Sequence, residues 1–379
     1  MKGSAGASRG KQTDLYASRR SQNARQRRTM RVWLDLLTPK QILFFKPVVD
    51  ELESSGVEVL ATSRRYREVG PLAERAGLAL RYVGDRGTKG PEDQLLAATR
   101  RQAEMIPIVQ EFRPHVAVSI ASAICARIAF GFGFKHIAVN DSPHSEVAGR
   151  LSIPLSYHLL CPWVIPYKAW EKYGIGRGQV TRYRALDPAA WLKREPLPGP
   201  VPRLDPAKKT ITVRAQESDA PYLAKADMTW TDRVLAALLD AFPDTNLVAL
   251  CRYDFQVAEV KAKFGSRCFV PDDVVGGHDL LSRTDLFVGM GGTMSAEAAL
   301  MGVPTISAFQ GSLYTDGYLE REALLARALT TKALAAAAKR FLSDGFRDSY
   351  SKRAKRVLDS MEDPVPKVAG FIEKTAKQG

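Results

Sequence analysis

The chain has 379 residues and carries 55 Lys and Arg against 41 Asp and Glu, which leaves a formal net charge of +14. This length exceeds what one ordinary hydrophobic core organises, so two domains are expected. The hydrophobic content of 45% is typical of a soluble globular protein, and no apolar run approaches the ~20 residues that a membrane-spanning helix requires.

The cysteines exclude two further classes of protein. They are widely spaced, with no CxxC pair and no histidine cluster beside them, which argues against a disulfide framework and against a zinc site. We therefore expect buried thiols in a reducing, cytoplasmic environment. Any contact of the protein with the inner membrane surface is expected to be peripheral. The cysteines are Cys125, Cys161, Cys251 and Cys268.

Residues 1–29 form a basic tail with almost no apolar content. They hold eight Lys or Arg residues against one acid, Asp14, which accounts for half of the net charge. This composition predicts disorder and lacks the apolar stretch of a secretory signal. We interpret the tail as an extension before a folded protein that opens at Met30. The alternative is a nucleic-acid-binding arm, but a basic tail alone gives only salt-sensitive, unspecific attraction, so no specific nucleic acid partner is expected.

Residues 30–190 show regular alternation of strand-like and helix-like patterns. Apolar strand candidates alternate with amphipathic helices, as in a parallel sheet covered on both faces. This predicts an N-terminal Rossmann-like domain. The strand candidates are 31–36, 57–62, 80–83, 115–120 and 136–140, and the main helix candidates are 42–54, 66–76 and 91–112.

A proline-rich linker is predicted over residues 191–209, because residues 193–203 contain four prolines and can form neither a helix nor an inner strand. Alternation then resumes in a second Rossmann-like domain over residues 210–345. The predicted fold class is thus α/β, with two Rossmann-like domains facing a cleft. The strand candidates are 210–214, 246–250, 267–270, 285–288 and 303–307, and helices are expected at 228–241, 331–342, 346–361 and 364–376, the last two packing back on the N-terminal domain.

In open α/β sheets, ligands bind outside the carboxyl ends of strands. The loop after the first strand, at residues 38–41, places Lys40 there, where it could meet a phosphate or an acceptor. We prefer the interpretation of Lys40 as a solvated loop lysine. Asp35 lies near the same strand end, and capping of the next turn is favoured for it over a role as a base.

A second polar cluster follows the strand at 136–140. Asp141 and His144 are the candidate bases, because activation of a sugar hydroxyl needs an imidazole or a desolvated carboxylate. An exposed Asp-Ser-Pro turn explains the same residues equally well. The sequence leaves these alternatives open.

The third cluster is the stretch 285–299, which predicts a strand, a glycine turn and a helix that carries Glu297. Glycines let backbone N–H groups approach an anion closely, and the helix start adds unpaired donors. Glu297 could accept hydrogen bonds from sugar hydroxyls. The alternative is a simple tight turn with Glu297 on a solvated helix face.

Arg214 ends the first strand of the second domain, and a phosphate contact is favoured for it, because a strand-end arginine that faces an anion pocket would match bidentate phosphate geometry. A salt bridge to Glu217 is the alternative. Asp272 and Asp273 are adjacent rather than spaced as in a DxD motif, so neither an obligatory metal nor another cofactor is predicted.

The order Gly291-Gly292-Thr293, Glu297-Ala298 and Gly302-Val303-Pro304 resembles the donor-nucleotide motif of GT-B glycosyltransferases, including the MurG type, and of non-hydrolysing UDP-N-acetylglucosamine 2-epimerases. The resemblance implies that Gly291, Gly292 and Thr293 hold a diphosphate and that Glu297 binds the ribose.

A more specific resemblance is to an uncharacterised, largely archaeal domain-of-unknown-function family of GT-B-like proteins. It spans most of residues 30–345 and is carried by Asp35 with residues 45–47 and 51–52, by residues 213–214 with 220–222, and by residues 289–293. This resemblance implies the fold but carries little information about function.

The sequence departs from the epimerases in two ways. The run at residues 144–150 is one residue longer than theirs, and their other acidic catalytic positions have no match here. We therefore expect a sugar-nucleotide-dependent glycosyltransferase, with a nucleotide-sugar donor as substrate and a glycan or lipid-linked acceptor. The alternatives are a sugar-nucleotide epimerase and a non-catalytic GT-B-like binding subunit, and peripheral membrane contact fits a lipid-linked acceptor.

Overall fold

The computed structural model describes residues 29–65, 68–88, 90–216 and 229–378. Five sequence features lie outside these ranges: the basic tail up to residue 28, the starts of the helices predicted at 66–76 and 228–241, the 220–222 motif, and Glu217. Within the described ranges the chain forms two parallel sheets of seven and five strands. The predicted α/β class with two parallel sheets is confirmed.

The first sheet has the strand order β3-β2-β1-β4-β5-β6-β7, with every neighbouring pair parallel. We call the part of the chain built on it the first half. Its strands are β1 (Arg31–Asp35), β2 (Glu58–Arg65), β3 (Arg81–Asp85), β4 (Val116–Ser119), β5 (Lys135–Val139), β6 (His158–Pro162) and β7 (Val180–Tyr183). Its helices are α1 (Pro39–Ser54), α2 (Val69–Arg75), α3 (Pro91–Phe112), α4 (Ala123–Phe132), α5 (Glu146–Ser152), α6 (Lys168–Glu171) and α7 (Ala189–Leu192).

The second sheet has the order β12-β11-β10-β8-β9 and is also parallel. It builds the second half. Its strands are β8 (Thr210–Arg214), β9 (Asn246–Leu250), β10 (Leu286–Gly289), β11 (Thr305–Ser307) and β12 (Ala326–Arg327). Its helices are α8 (Trp230–Ala241), α9 (Asp254–Phe264), α10 (Gly277–Ser282), α11 (Met294–Leu300), α12 (Tyr314–Arg321) and α13 (Thr331–Phe341). Residues 193–209, which join β8 to the first half, contain no helix or strand.

Several predicted elements differ from the structure. Helix α1 begins at Pro39 rather than residue 42, because proline suits the first helical position, where its missing N–H costs no hydrogen bond. The strand predicted at 267–270 is only a single bridge between Val248 and Phe269. Strands β6 and β7 were not predicted from the sequence.

The last two helices are α14 (Phe346–Asp359) and α15 (Pro364–Ala376). Helix α15 crosses back to the first half and packs on α1, so that Val368 and Ile372 share a buried cluster with Phe44 and Phe45. That cluster also contains Leu300 of α11, which belongs to the second half. The chain end therefore helps to connect the two halves.

None of the helices in the described ranges combines the length and the apolar character that crossing a membrane requires.

Candidate functional site

A cavity of about 950 Å³ lies between the two halves and is lined by residues from both. It collects the loops that follow the carboxyl ends of several parallel strands, where ligands bind in open α/β folds. Seven of the eight predicted site residues line it, and His144 is not among its described lining residues. The seven are Lys40, Asp141, Arg214, Gly291, Gly292, Thr293 and Glu297.

The glycine turn between β10 and α11 forms part of the second-half wall. Gly291 and Gly292 have φ values of +102° and +91°, which residues other than glycine rarely adopt. At Gly289, where β10 ends, a Cβ atom would lie 2.0 Å from Ser295 Oγ. The turn therefore needs glycine for its backbone conformation and for close packing against α11.

Glu297 lies one turn into α11 and is buried, with 7% of its surface exposed. The interpretation as a solvated helix face is thus wrong. Trp191 of α7 donates a hydrogen bond from Nε1 to Glu297 Oε1 at 2.9 Å. Burial raises the pKa of Glu297 to about 7, and the indole hydrogen bond opposes this shift in part.

Arg214 ends β8, and its side chain reaches the cavity. Its Nη2 lies 3.6 Å from Glu68 Oε1, a residue of the first half just before α2. The pair is long, so this guanidinium has room to engage an anion as well. Glu217, the partner suggested by the sequence, lies outside the described residues.

On the first-half wall, Lys40 sits between two carboxylates. Its Nζ lies 2.6 Å from Asp141 Oδ2 and 2.7 Å from Asp187 Oδ2. The Lys40 side chain is 18% exposed and that of Asp187 is fully buried. The preferred interpretation of Lys40 as a solvated loop lysine is therefore wrong, because Asp187, 147 positions later in the chain, contacts the ammonium group.

The charges in this cluster shift one another's pKa values. Burial opposes the ammonium charge, yet the two carboxylates together raise the pKa of Lys40 above its usual value. Burial also disfavours ionised Asp141, but Lys40 outweighs it and lowers the pKa of that carboxyl. For Asp187, burial and the neighbouring Asp141 outweigh the effect of Lys40 and raise the pKa of the carboxyl. Tyr183 donates to Asp187 Oδ1 at 2.5 Å and holds it in place.

The two predicted bases interact electrostatically, but only one of them belongs to the described cavity lining. Asp141 faces the cavity, whereas His144 lies three residues further on, just before α5, and outside the described lining. Burial lowers the pKa of His144, so its imidazole is neutral near pH 7. Of the two, Asp141 has the direct position for contact with a ligand.

Asp35 stabilises the buried interior of the first half and is not among the described residues that line the cavity. It is fully buried and accepts two hydrogen bonds from Arg101, at 2.6 and 3.1 Å. The hydroxyls of Ser122 and Thr62 donate to the same carboxylate. The expectation that Asp35 caps the next turn is wrong, because its partners come from β2, α3 and the residue before α4.

Two lining or supporting residues were missed by the sequence analysis. Asp187 follows β7 and Trp191 lies in α7, both in a region where no strand was predicted. Had β7 been recognised, the acid following its carboxyl end would have been a candidate by the same rule that selected Asp141.

The described cavity lining carries more basic than acidic side chains, eight Lys or Arg against six Asp or Glu. This balance favours a ligand with negative charge. The basic residues are Lys40, Lys46, Arg64, Arg75, Arg86, Arg194, Arg214 and Arg252.

Comparison with solved structures identifies the fold. A UDP-GlcNAc 2-epimerase from Neisseria meningitidis, solved bound to UDP-GlcNAc, is similar at 13% identity and a TM-score of 0.70, over 92% of this chain and 100% of that chain. The glycotransferase of kitacinnamycin is similar at 16% identity and a TM-score of 0.62, over 92% and 100% of the two chains. The protein has the GT-B-like fold that these glycosyltransferases and epimerases share.

Residues 30–372 match the family described as protein of unknown function (DUF354), and the chain belongs to this family. A relative, the uncharacterized protein MJ0665 of Methanocaldococcus jannaschii, is 26% identical over 298 residues, which are 76% of this chain and 84% of that protein. The predicted membership of an uncharacterised GT-B-like family with an archaeal member is confirmed.

Proposed function

We propose that this protein is a sugar-nucleotide-dependent glycosyltransferase, which transfers a sugar from a nucleotide diphosphate donor to a hydroxyl acceptor. One observation carries the proposal. The glycine turn, Arg214 and Glu297 form one wall of a cavity of about 950 Å³, and the Lys40–Asp141 pair forms the wall contributed by the first half. A donor and an acceptor can thus meet between the two halves.

On the second-half wall, each group has a role that suits the donor. Backbone N–H groups of Gly291 and Gly292 can approach a diphosphate closely because no side chain intervenes. Arg214 adds positive charge, and Glu297 can accept hydrogen bonds from ribose hydroxyls. In this proposal these groups stabilise the charge on the departing diphosphate without an obligatory metal ion.

On the first-half wall, we assign Asp141 as the base for the acceptor hydroxyl. Its lowered pKa keeps the carboxylate ionised at neutral pH, and Lys40 and the hydroxyl of Ser142 hold it in position. As the acceptor oxygen attacks the anomeric carbon, its proton passes to Asp141. The bond from that carbon to the diphosphate breaks, and the nucleotide diphosphate leaves with the electron pair.

A sugar-nucleotide epimerase is the second candidate. The observation that favours it is the greater structural likeness to the epimerase, at a TM-score of 0.70 against 0.62 for the glycotransferase. Against it stands the chemistry of the first-half wall. Removal and return of a proton at carbon needs at least one strong base, and the pKa of Asp141 is lowered.

The test uses the full chain with UDP-sugars and dTDP-sugars. Calorimetry first measures binding of the free nucleotides. Incubation with a panel of hydroxyl acceptors then monitors release of free nucleotide and the identity of the sugar. Release that depends on the acceptor supports transfer, and a changed sugar without acceptor supports epimerisation.

Two other outcomes contradict the proposal. Nucleotide binding without either reaction would point to a non-catalytic binding subunit. Failure to bind any nucleotide would overturn both enzymatic functions.

We further propose that the acceptor is a glycan or a lipid-linked glycan. In this proposal the protein makes peripheral contact with an anionic membrane surface. The net charge of +14 supports such attraction. Co-sedimentation with anionic and with neutral lipid vesicles tests the contact. Equal recovery of the protein with both would contradict an electrostatic membrane contact.

A further inference from the structure

A hydrogen bond inside the cavity joins the two halves of the protein. The indole of Trp191, from the end of the first half, donates from Nε1 to Oε1 of Glu297, from α11 of the second half, at 2.9 Å. The two residues are 106 positions apart in sequence, and both line the cavity. The contact therefore borders the cavity where a ligand would bind, and the indole also packs against the hydrophobic core.

The segment that carries Trp191 is held on both sides. Asp187, four residues earlier, is fixed by Lys40 and by the Tyr183 hydroxyl. Arg194, three residues later, pairs with Asp363 at 2.8 Å. Within α7, Ala189 and Ala190 are fully buried. The indole is thus placed by a rigid segment, and its direction toward Glu297 does not depend on a mobile loop.

We propose that Trp191 is a positioning residue of the nucleotide site, which occupies one carboxylate oxygen of Glu297 and leaves the other to accept hydrogen bonds from ribose hydroxyls. The inference rests on the proposed function, because it takes Glu297 as the ribose-binding group. It adds that the donor site is completed by the first half, so nucleotide recognition requires both halves together.

The hydrogen bond also affects the protonation of Glu297. An ionised carboxylate only accepts hydrogen bonds, whereas a protonated carboxyl group also carries a proton that needs an acceptor. Burial raises the pKa of Glu297 to about 7, and the indole N–H favours the ionised form. Loss of the indole therefore raises this pKa further, and the ionised fraction at neutral pH falls.

Two ionisable groups in the helices that pack on α11 have hydrogen-bond partners of their own. In α12, Asp316 accepts from Ser307 Oγ at 2.6 Å. In α14, the Tyr350 hydroxyl donates to the carbonyl of Leu324. Strands β10 and β11, which also pack on α11, contain no ionisable side chain. The cavity lining also includes Lys40, Asp141, Arg194, Arg214 and the histidine His278, so the contribution of Glu297 is taken as the difference between the pH profiles of the wild type and of Glu297→Gln.

The experiment measures the UDP affinity of the full chain by calorimetry from about pH 5.5 to about pH 8.5, where the lysine and arginine side chains stay charged. Relative to Glu297→Gln, the wild-type affinity is expected to rise with pH through about 7, as Glu297 ionises. This comparison removes the contribution of the terminal phosphate of UDP, which itself ionises near a pH of about 6. For Trp191→Phe, we expect the midpoint of this rise to move upward by about half a pH unit or more. The affinity at neutral pH should fall by about fivefold to tenfold.

Trp163→Phe is the matched control, because Trp163 is a half-buried tryptophan that contacts Tyr318 and is not among the described residues lining the cavity. It should leave the affinity and its pH profile as in the wild type. Glu297→Gln should retain only the pH dependence that comes from UDP and from the other groups of the cavity, and the addition of Trp191→Phe to it should then change the affinity little.

A ligand series tests the same inference in the unaltered protein. With 2′,3′-dideoxy-UDP, which lacks both ribose hydroxyls but keeps the terminal phosphate, the difference in pH profile between the wild type and Glu297→Gln should largely disappear. If the wild type binds UDP but Trp191→Phe retains the wild-type pH profile, or the wild type and Glu297→Gln still differ in their pH profiles with the dideoxy nucleotide, the role of Trp191 is overturned while the proposed function stands. If the wild type binds no nucleotide, the proposed function fails and this inference fails with it.

Discussion

Glu297 is the residue on which ribose recognition depends in the proposed function. It is buried, lines the cavity and has a single described hydrogen-bond donor, Trp191. We expect Glu297→Ala to weaken UDP binding by about tenfold or more, because a hydrogen bond to a charged acceptor contributes on the order of 1.5 kcal/mol or more. Calorimetry measures the effect. Glu146→Ala, which removes an exposed carboxylate paired with Arg150, is the control and should have no effect.

Asp141 and His144 can be distinguished by separating binding from turnover. Asp141→Asn is expected to lower the rate of transfer by about a hundredfold or more, since the acceptor proton loses its base. UDP affinity should change little, because Asp141 belongs to the opposite wall from the glycine turn. His144→Gln should retain most of the rate. The opposite pattern would assign the base to His144.

Lys40 is expected to matter for stability as well as for the site. Lys40→Met leaves Asp141 and Asp187 buried without their shared cation, and should lower the free energy of unfolding by about 3 kcal/mol at neutral pH. The pKa of Asp141 is lowered in the folded protein, so its favourable ionisation is present at neutral pH and is lost as pH falls through that pKa. The deficit should therefore shrink in acid.

Urea denaturation at several pH values measures this change. Lys46→Met is the control, because Lys46 pairs with the more exposed Asp50 four residues along α1. It should cost no more than about 0.5 kcal/mol. A deficit for Lys40→Met that is independent of pH would contradict the electrostatic explanation.

At the scale of the element, the unit of β10, glycine turn and α11 determines how closely a ligand approaches the backbone. Gly292 and Gly265 both have positive φ, at +91° and +56°, and a Cβ at either would meet no atom within 4 Å. Each change to alanine should therefore cost on the order of 1–3 kcal/mol of stability through backbone strain alone. Gly292 lines the cavity and Gly265 is not among its described lining residues.

We accordingly expect Gly292→Ala to weaken UDP binding by about tenfold, because its methyl group takes up space where a phosphate would approach the backbone. Gly265→Ala should bind UDP as the wild type does. Thermal unfolding and calorimetry on both variants make the comparison. Equal nucleotide affinity in the two variants would show that the turn does not hold the diphosphate.

At the scale of the whole molecule, α15 closes the first half from the far end of the chain. Ile372 is fully buried against the cluster that includes Phe44 of α1. Ile372→Ala is expected to lower the free energy of unfolding by about 3 kcal/mol through lost apolar contacts and a residual cavity. Ile106→Ala, at a position 39% exposed on α3, should cost less than about 1 kcal/mol. Chemical denaturation compares them, and similar costs would mean that α15 does not stabilise the first half.

The alternation of strands and helices could be predicted over most of the chain, because parallel strands covered on both faces are apolar throughout. Residues 31–36 and 285–288 were recognised in this way, and they correspond to β1 and β10. Strands β6 and β7 escaped because they lie among turns and short helices, where local periodicity is weak. The strand predicted at 267–270 has the right residue types but no neighbour to extend the ladder beyond one bridge.

The sequence by itself determined the two α/β halves, the glycine turn before Glu297 and the resemblance to a GT-B-like family, since these depend on local order and residue type. Only the tertiary structure decided that Lys40 is enclosed by Asp141 and Asp187, that Asp35 serves Arg101, and that Trp191 contacts Glu297. The physical reason is that burial and hydrogen-bond partners come from distant parts of the chain. Burial and these partners change the charge and basicity of a side chain, and the residues next to it in the sequence do not indicate the change.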